Sequence, residues 1–379
     1  GLIGMGNIGK HHYNILQGKK ISRCVLTAIC DNHPERLVPY QDTGLKLFNE
    51  SSALIHSGEV DAVIIGTPHY SHTSIGIEAL KKGLHTLVEK PISVHKADCE
   101  RLIAAHKDKS RVFAVMFNQR TDPHYQEIRK MILNGDLGPL QRASWIITEW
   151  FRPEVYYASG TWRATWKGEG GGALLNQCPH TLDMWQWLLG MPIRMRAFCS
   201  FGKYHKIEVE DEVTAYMEYE NGATGIFIGS TGETPGSNRL EIAGDKGKLV
   251  YEHNKILFTR NETPTSVFNK TTKEAFGRPK AETIEIHVEG NGGQHAEVIQ
   301  RFVDAILDGA PLLSRGEEGL ASVELANAMI YSSVMNRTID IPIDSAEYEK
   351  LLNKLIAESK FVKQTAESEK TDMSKSFLR

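Results

Sequence analysis

At 379 residues the chain is too long for one ordinary core, so two domains are expected. A net charge of −3, with 24% charged residues, gives no electrostatic reason to expect nucleic acid or an anionic membrane as partner, and no apolar run approaches the roughly 20 residues that span a bilayer. The five cysteines (Cys24, Cys30, Cys99, Cys178, Cys199) show neither a metal spacing nor a disulfide framework, so no metal is expected and a reducing cytoplasm is the default location. The chain opens inside an apparent strand rather than with Met, so any leader segment would lie upstream.

Residues 1–118 alternate short apolar runs with helical patterns, as βαβ units do. Leu2-Ile3 is the stub of a first strand, Ile8 to Leu16 a helix, and Cys24 to Cys30 a second strand. Val60 to Gly66 is a third strand, ending at Thr67-Pro68, and Ile75 to Lys82 a helix closed by Gly83. Leu84 to Val88 is a strand broken by Pro91, and a helix from Lys96 to Ala105 leads to the strand Val112 to Phe117. Such near-continuous apolar strands predict a parallel sheet covered on both faces.

Beyond residue 118 the pattern changes to α+β, and a second domain is expected over 119–343. Tyr125 to Leu133 reads as a helix, 140–150 as a strand, and Ala173 to Leu189 as one helix. Asn221-Gly222 marks a hairpin, with Val213, Ala215, Met217 and Tyr219 on one face of its first strand. An apolar sheet face needs a cover, which predicts a homodimer or homotetramer paired through this domain. Helices are expected over 294–308, 316–335 and 345–360, the last within a C-terminal segment 344–379 whose charged stretch 361–379 reads as a frayed tail.

Gly4-Met5-Gly6-Asn7-Ile8-Gly9 is G-x-G-x-x-G between a strand and a helix, and Asp31 follows 22 residues after Gly9 at the end of the second strand. The glycines permit a tight turn, close approach to a pyrophosphate, and helix–strand packing, while the helix N-terminus faces the anion. Asp31 would accept hydrogen bonds from the adenosine ribose and repel a 2′-phosphate, which predicts NAD in preference to NADP. Glu89-Lys90-Pro91 ends the strand Leu84 to Val88, where a lysine would meet the nicotinamide end of the cofactor.

These motifs, with Thr67-Pro68-His69-Tyr70-Ser71-His72, Asn118-Gln119-Arg120, and Gly170-Gly171-Gly172 through His180 to Asp183, resemble the Gfo/Idh/MocA oxidoreductases, which act on sugars, inositols and related polyols. The resemblance extends to about residue 343. It implies an N-terminal Rossmann domain followed by an α+β domain with a large, mostly antiparallel sheet, whose open face commonly packs on another subunit. It places Thr67, Pro68, His72, Glu89 and Asn118 at the cofactor. Lys90 matches the lysine that touches both the nicotinamide ribose and the reacting hydroxyl, and His180 the histidine that exchanges the hydroxyl proton. The family often has Asn where this chain has His69, and usually Asp where it has Asn176.

On the expected helix Asn176 and His180 are four apart and share a face, and the triple glycine would let backbone approach a ligand closely. All six tryptophans fall between Trp145 and Trp187, which suits a carbohydrate pocket, although most are expected in the core. Trp162 or Trp166, beside Arg163, is the tryptophan expected near the substrate, and Arg163, Asn176 and Arg120 are the other candidate substrate contacts. The leading reading is an NAD-dependent dehydrogenase or reductase acting on a secondary hydroxyl of a sugar, glycoside or cyclitol. Its alternatives are a glycoside-processing enzyme that retains NAD and a non-catalytic dinucleotide-binding sensor.

Overall fold

The computed structural model describes residues 1–18 and 20–365. Six strands, β1 (Leu2–Ile3), β2 (Ala28–Cys30), β3 (Lys46–Phe48), β4 (Ala62–Ile65), β5 (His85–Val88) and β6 (Phe113–Val115), form a parallel sheet in the order β3-β2-β1-β4-β5-β6. Helices α1 (Asn7–Gln17), α2 (Ser51–His56), α3 (His69–Lys82) and α4 (Lys96–Ala105) supply crossovers. The alternating side chains feed two cores: Ile3, Val63 and Val88 enter one, Leu2, Ile64 and Leu87 the other. That explains the continuous apolar runs. The strand order reverses between β1 and β4, which opens a crevice at their carboxyl ends. Strand β3 and helix α2 were not anticipated, because Lys46 to Phe48 is a three-residue edge strand with little apolar signal.

Helix α5 (Pro123–Leu133) opens the second domain, with the Asp122 side chain accepting from the His124 N–H and Pro123 at the first helical position. A nine-stranded sheet follows, built from β7 (Leu140–Ile147), β8 (Arg194–Phe201), β9 (Glu210–Glu218), β10 (Thr224–Ser230), β11 (Asn238–Gly244), β12 (Gly247–Glu252), β13 (Lys255–Asn261), β14 (Ala281–Ile286) and β15 (Ile339–Asp340). Its order is β14-β13-β12-β11-β7-β10-β9-β8-β15, and every pairing except β7 with β10 is antiparallel. Asn221-Gly222 turns β9 into β10, with Gly222 at φ +82. The intervening helices are α6 (Glu154–Ala158), α7 (Ala173–Asn176), α8 (Pro179–Leu189), α9 (Thr265–Thr271), α10 (Gln294–Asp308), α11 (Gly319–Val334) and α12 (Ser345–Glu358).

Three expectations are corrected. Packing does not respect a boundary at residue 118: Val298, Ile299, Phe302 and Val303 of α10 complete the core around Leu2 and Ile29. The Val213, Ala215 and Met217 face of β9 is the inner one, packed with Trp185, Met329 and Ile330 of the covering helices. The open face instead carries Phe198, Thr214, Tyr216, Ile226 and Ile228 in register across β8, β9 and β10, with Phe198 60% and Tyr216 43% exposed. Finally, residues 361–365 are not frayed but lie against the second domain, while the rest of the expected tail falls outside the described residues.

Candidate active site

The glycine loop joins β1 to α1, and its three glycines meet different surroundings. Gly4 has φ +96, and a Cβ there would lie 2.7 Å from the Gly66 carbonyl oxygen. A Cβ on Gly9 would fall 1.8 Å from the Gly4 carbonyl oxygen, so this glycine seats the helix on the strand. Nothing lies within 4 Å of a Cβ on Gly6. Helix α1 has no side-chain cap and no acidic residue in its first turn, which leaves the N–H groups at Asn7 and Ile8 to a ligand. Asp31 is buried, and its carboxylate accepts from the N–H groups of Met5 (2.7 Å) and His33 (2.9 Å). It thus holds the glycine loop from the carboxyl end of β2, with Arg36 Nη1 3.4 Å away.

The other cofactor candidates gather at the same edge of the parallel sheet. Thr67 and Pro68 follow β4, Glu89 and Lys90 follow β5, and Asn118 follows β6. The His72 ring spans two of these turns, with Nδ1 2.8 Å from the Pro91 carbonyl and Nε2 2.8 Å from that of Thr67. Three buried polar atoms here, Thr67 Oγ1, His69 Nδ1 and Asn118 Oδ1, have no hydrogen-bond partner in the protein. Orphaned polar groups of this kind are costly unless a ligand meets them, and a carboxamide and ribose would. The donor set, the open Gly6 and these orphans fit a dinucleotide. Glu89 is the exception. It is buried against His12 of α1 at 2.7 Å, and although burial pushes its carboxyl up, His12, His295 and Lys90 hold it down to about 2. Its place is that of a strut between α1 and β5.

On the substrate side, the helix expected over 173–189 is broken. Pro179 begins a new helix, so α7 stops at Asn176 and His180 lies in the first turn of α8. Asn176 and His180 therefore do not share one helical face. Lys90 Nζ crosses from the first domain to donate to the Asn176 carbonyl at 2.9 Å. Burial lowers the Lys90 pKa and Arg163 and Arg152 add to this, while Glu89 and Glu169 oppose it. The Asn176 side chain donates to the carboxylate of Glu169 and accepts from the Tyr156 hydroxyl at 3.1 Å. The same hydroxyl accepts from Arg163 Nη1 at 2.7 Å and Gln177 Nε2 at 3.0 Å. Trp162 is half-buried, edge-on to His69 at 5.1 Å, and Arg163 stacks over both Trp162 and Tyr156.

Three residues of this network, Glu169, Tyr156 and Gln177, were not foreseen. Glu169 is buried beside the triple glycine and accepts from the Ala164 N–H at 2.6 Å, which puts a carboxylate next to Asn176 after all. Burial raises its pKa against the pull of Arg163, the Ala164 N–H and Asn176. Its place before three glycines was the available signal, whereas nothing in the sequence marks Tyr156. Arg120 is corrected in the other direction. It is 1% exposed and bidentate to Asp183 at 2.8 and 2.7 Å, with a further bond to Glu318 at 2.5 Å. Its donors serve the protein's own carboxylates, and Asp183 serves Arg120. The triple glycine also faces protein: Cβ atoms would lie 2.0 Å from Val94 at Gly170 and 2.1 Å from the Glu210 carbonyl oxygen at Gly172.

Comparison with known proteins agrees with this geometry. Residues 1–117 match the model of the oxidoreductase family with an NAD-binding Rossmann fold, and 125–250 that of the GFO/IDH/MocA C-terminal domain. Inositol 2-dehydrogenase of Rhizobium meliloti is 27% identical over 355 residues, spanning 90% of this chain and 98% of the relative. Myo-inositol 2-dehydrogenase of Thermotoga maritima is 24% identical, with the same coverage. Among solved structures, the WlbA dehydrogenase of Bordetella pertussis, in complex with NADH and UDP-GlcNAcA, superposes with a TM-score of 0.75 at 25% identity, covering 90% of this chain and 98% of that one. The chain belongs to the Gfo/Idh/MocA family of NAD-binding oxidoreductases.

Proposed function

We propose that the protein transfers hydride between the nicotinamide of NAD and a secondary hydroxyl of a sugar, glycoside or cyclitol. The observation that carries this reading is the bond from Lys90 to the Asn176 carbonyl, which sets the lysine of the cofactor edge against the end of α7 in the second domain. NAD, when bound, supplies the hydride acceptor. The Lys90 ammonium stabilises the alkoxide that develops as the hydroxyl loses its proton. His180 takes that proton as general base. Asn176, held by Glu169 and Tyr156, orients the substrate hydroxyls, and Trp162 with Arg163 offers an apolar ring and a donor fork to the sugar. The inositol dehydrogenases among the relatives support a cyclitol or sugar as the class.

The test is a panel of sugars and cyclitols with NAD⁺, followed by NADH absorbance. Stoichiometric NADH production supports the dehydrogenase. Turnover of a glycoside without net NADH would favour the reading with retained NAD, and binding of NADH without turnover on any compound would favour a sensor. Assembly belongs to the same proposal. The open sheet face, with Phe198, Tyr216 and Ile228 between charged residues, suits a second copy of the chain. A monomeric mass in light scattering at micromolar concentration would overturn that part. Among the described residues no helix is long and apolar enough to cross a membrane.

A further inference from the structure

We propose that Lys363 is a positioning residue that clasps the substrate loop, through a strap formed by the chain after α12. This rests on the proposed function, in which Trp162 and Arg163 meet the sugar and the stretch 157–169 that carries them is the substrate loop. Helix α12 ends at Glu358, and from Ser359 the backbone turns extended and runs across the second domain. Two anchors tie it down. The Ser359 hydroxyl donates to one oxygen of Glu208, whose other oxygen accepts the Trp166 N–H at 2.9 Å. The Lys363 ammonium donates to the carbonyls of Tyr157, at 2.7 Å, and Arg163.

The second anchor closes a loop. Tyr157 is the fixed end: it is 3% exposed and its hydroxyl pairs with Thr231 Oγ1 at 2.6 Å. From there the chain runs through Gly160, at φ +75, to Trp162 and Arg163. One ammonium bridging the carbonyls at both ends fixes the span of this short, glycine-containing segment. The segment carries the Trp162 ring against His69 and the Arg163 guanidinium onto Tyr156, the two side chains placed to meet a sugar. Lys363 is half-buried and its charge is also drawn toward Glu169, so the clasp and the Asn176 network share one electrostatic environment. A charge-assisted bond to two carbonyls is among the stronger hydrogen bonds available to a surface segment.

The experiment uses full-length Lys363→Met, Lys363→Arg and Ser359→Ala proteins. Hydrogen exchange without substrate is read over residues 157–166. Lys363→Met should exchange faster there, while Lys363→Arg, which can still bridge two carbonyls, should stay close to wild type. With a sugar found active in the panel, Lys363→Met should raise KM about tenfold, the size of one charge-assisted hydrogen bond, with kcat and the Kd for NADH little changed. Ser359→Ala should act in the same direction and less. Unchanged exchange in Lys363→Met overturns the clasp, whatever compound proves to be the substrate. A loss of NADH binding equal to the rise in KM also overturns it, since that marks a general structural effect. Failure of every sugar in the panel sinks the functional reading and leaves the exchange result to decide the clasp.

Discussion

In the turn from Gly4 to Gly9 two glycines are pressed against protein backbone and the one between them looks onto open space; in the turn from Gly170 to Gly172 a neighbouring residue, Val94, Leu175 or Glu210, stands where each side chain would be. The first turn opens a helix whose N–H groups have no capping side chain. The second is filled by its own chain and carries α7 and α8 with Asn176 and His180, their proposed cargo. A glycine run signals that something comes close. Whether that is a ligand or the protein itself depends on what packs there.

The largest effect expected from separating these roles comes from removing the cargo of the second turn. His180→Ala should lower kcat by roughly 10²–10⁴-fold with NADH binding retained, the loss typical of a general base. Lys90→Met should also cripple turnover and, because Lys90 stands at the cofactor edge, weaken NADH as well. A His180→Ala enzyme with near-normal kcat would make that histidine structural.

The glycines themselves sharpen the comparison next. Gly9→Ala and Gly172→Ala should each lose at least the roughly 1–3 kcal/mol of overpacking, because backbone oxygens stand in the way. Gly6→Ala should keep its unfolding midpoint and bind NADH more weakly. Urea melts with NADH titrations check all three, and a destabilised Gly6→Ala would remove the distinction.

Glu210 supports the second turn, accepting the N–H groups of Gly172 and Leu174 at 2.8 and 3.0 Å. Burial pushes its carboxyl up to about 7 against those N–H groups. The folded protein then keeps a proton that the unfolded chain releases from about pH 4.5 upward. Stability should therefore fall as pH rises from about 4.5 through 7, by up to about 3 kcal/mol from this group. Glu210→Gln should flatten that slope in denaturation curves measured across the window. An unchanged slope would show that Glu210 does not titrate there.

Smaller effects come from charge. Glu169 raises the Lys90 pKa, so Glu169→Gln should move the limb of the kcat/KM profile set by Lys90 to lower pH. A limb that stays in place would separate Glu169 from the lysine. On the cofactor side, buried Asp31 predicts tighter binding of NAD than of NADP, with Arg36 at 3.4 Å tempering the difference. Titration of both cofactors tests this, and equal affinity would count against Asp31 as the discriminating group.

The cofactor half was legible because its signals are local. G-x-G-x-x-G, Asp31 and the apolar strands each follow from backbone geometry or burial within a few residues, and Gly4, Gly9 and the parallel pairing of the strands sit as expected. The substrate half was legible in its parts. Asn176 meets Lys90 through its carbonyl and joins Arg163 through the Tyr156 hydroxyl, but Pro179 breaks the helix expected to carry both Asn176 and His180. Arg120 looked available because a sequence does not show that Asp183 and Glu318 converge on it from 63 and 198 residues away.

By itself, then, the sequence determined what short-range physics determines: the glycine loop, the alternation of strand and helix, and the hairpin at Asn221-Gly222, together with the candidates for proton transfer. Tertiary structure decided which of those residues have spare valence. It spent Arg120 and Glu89 on buried pairs, brought Glu169 and Tyr156 to Asn176, and turned the Val213 face inward. It also returned α10 to the first core and laid Lys363 against the carbonyls of Tyr157 and Arg163. The reason is range: a hydrogen bond or a packed face needs two partners, and when they are far apart in the chain only the folded path says which two meet.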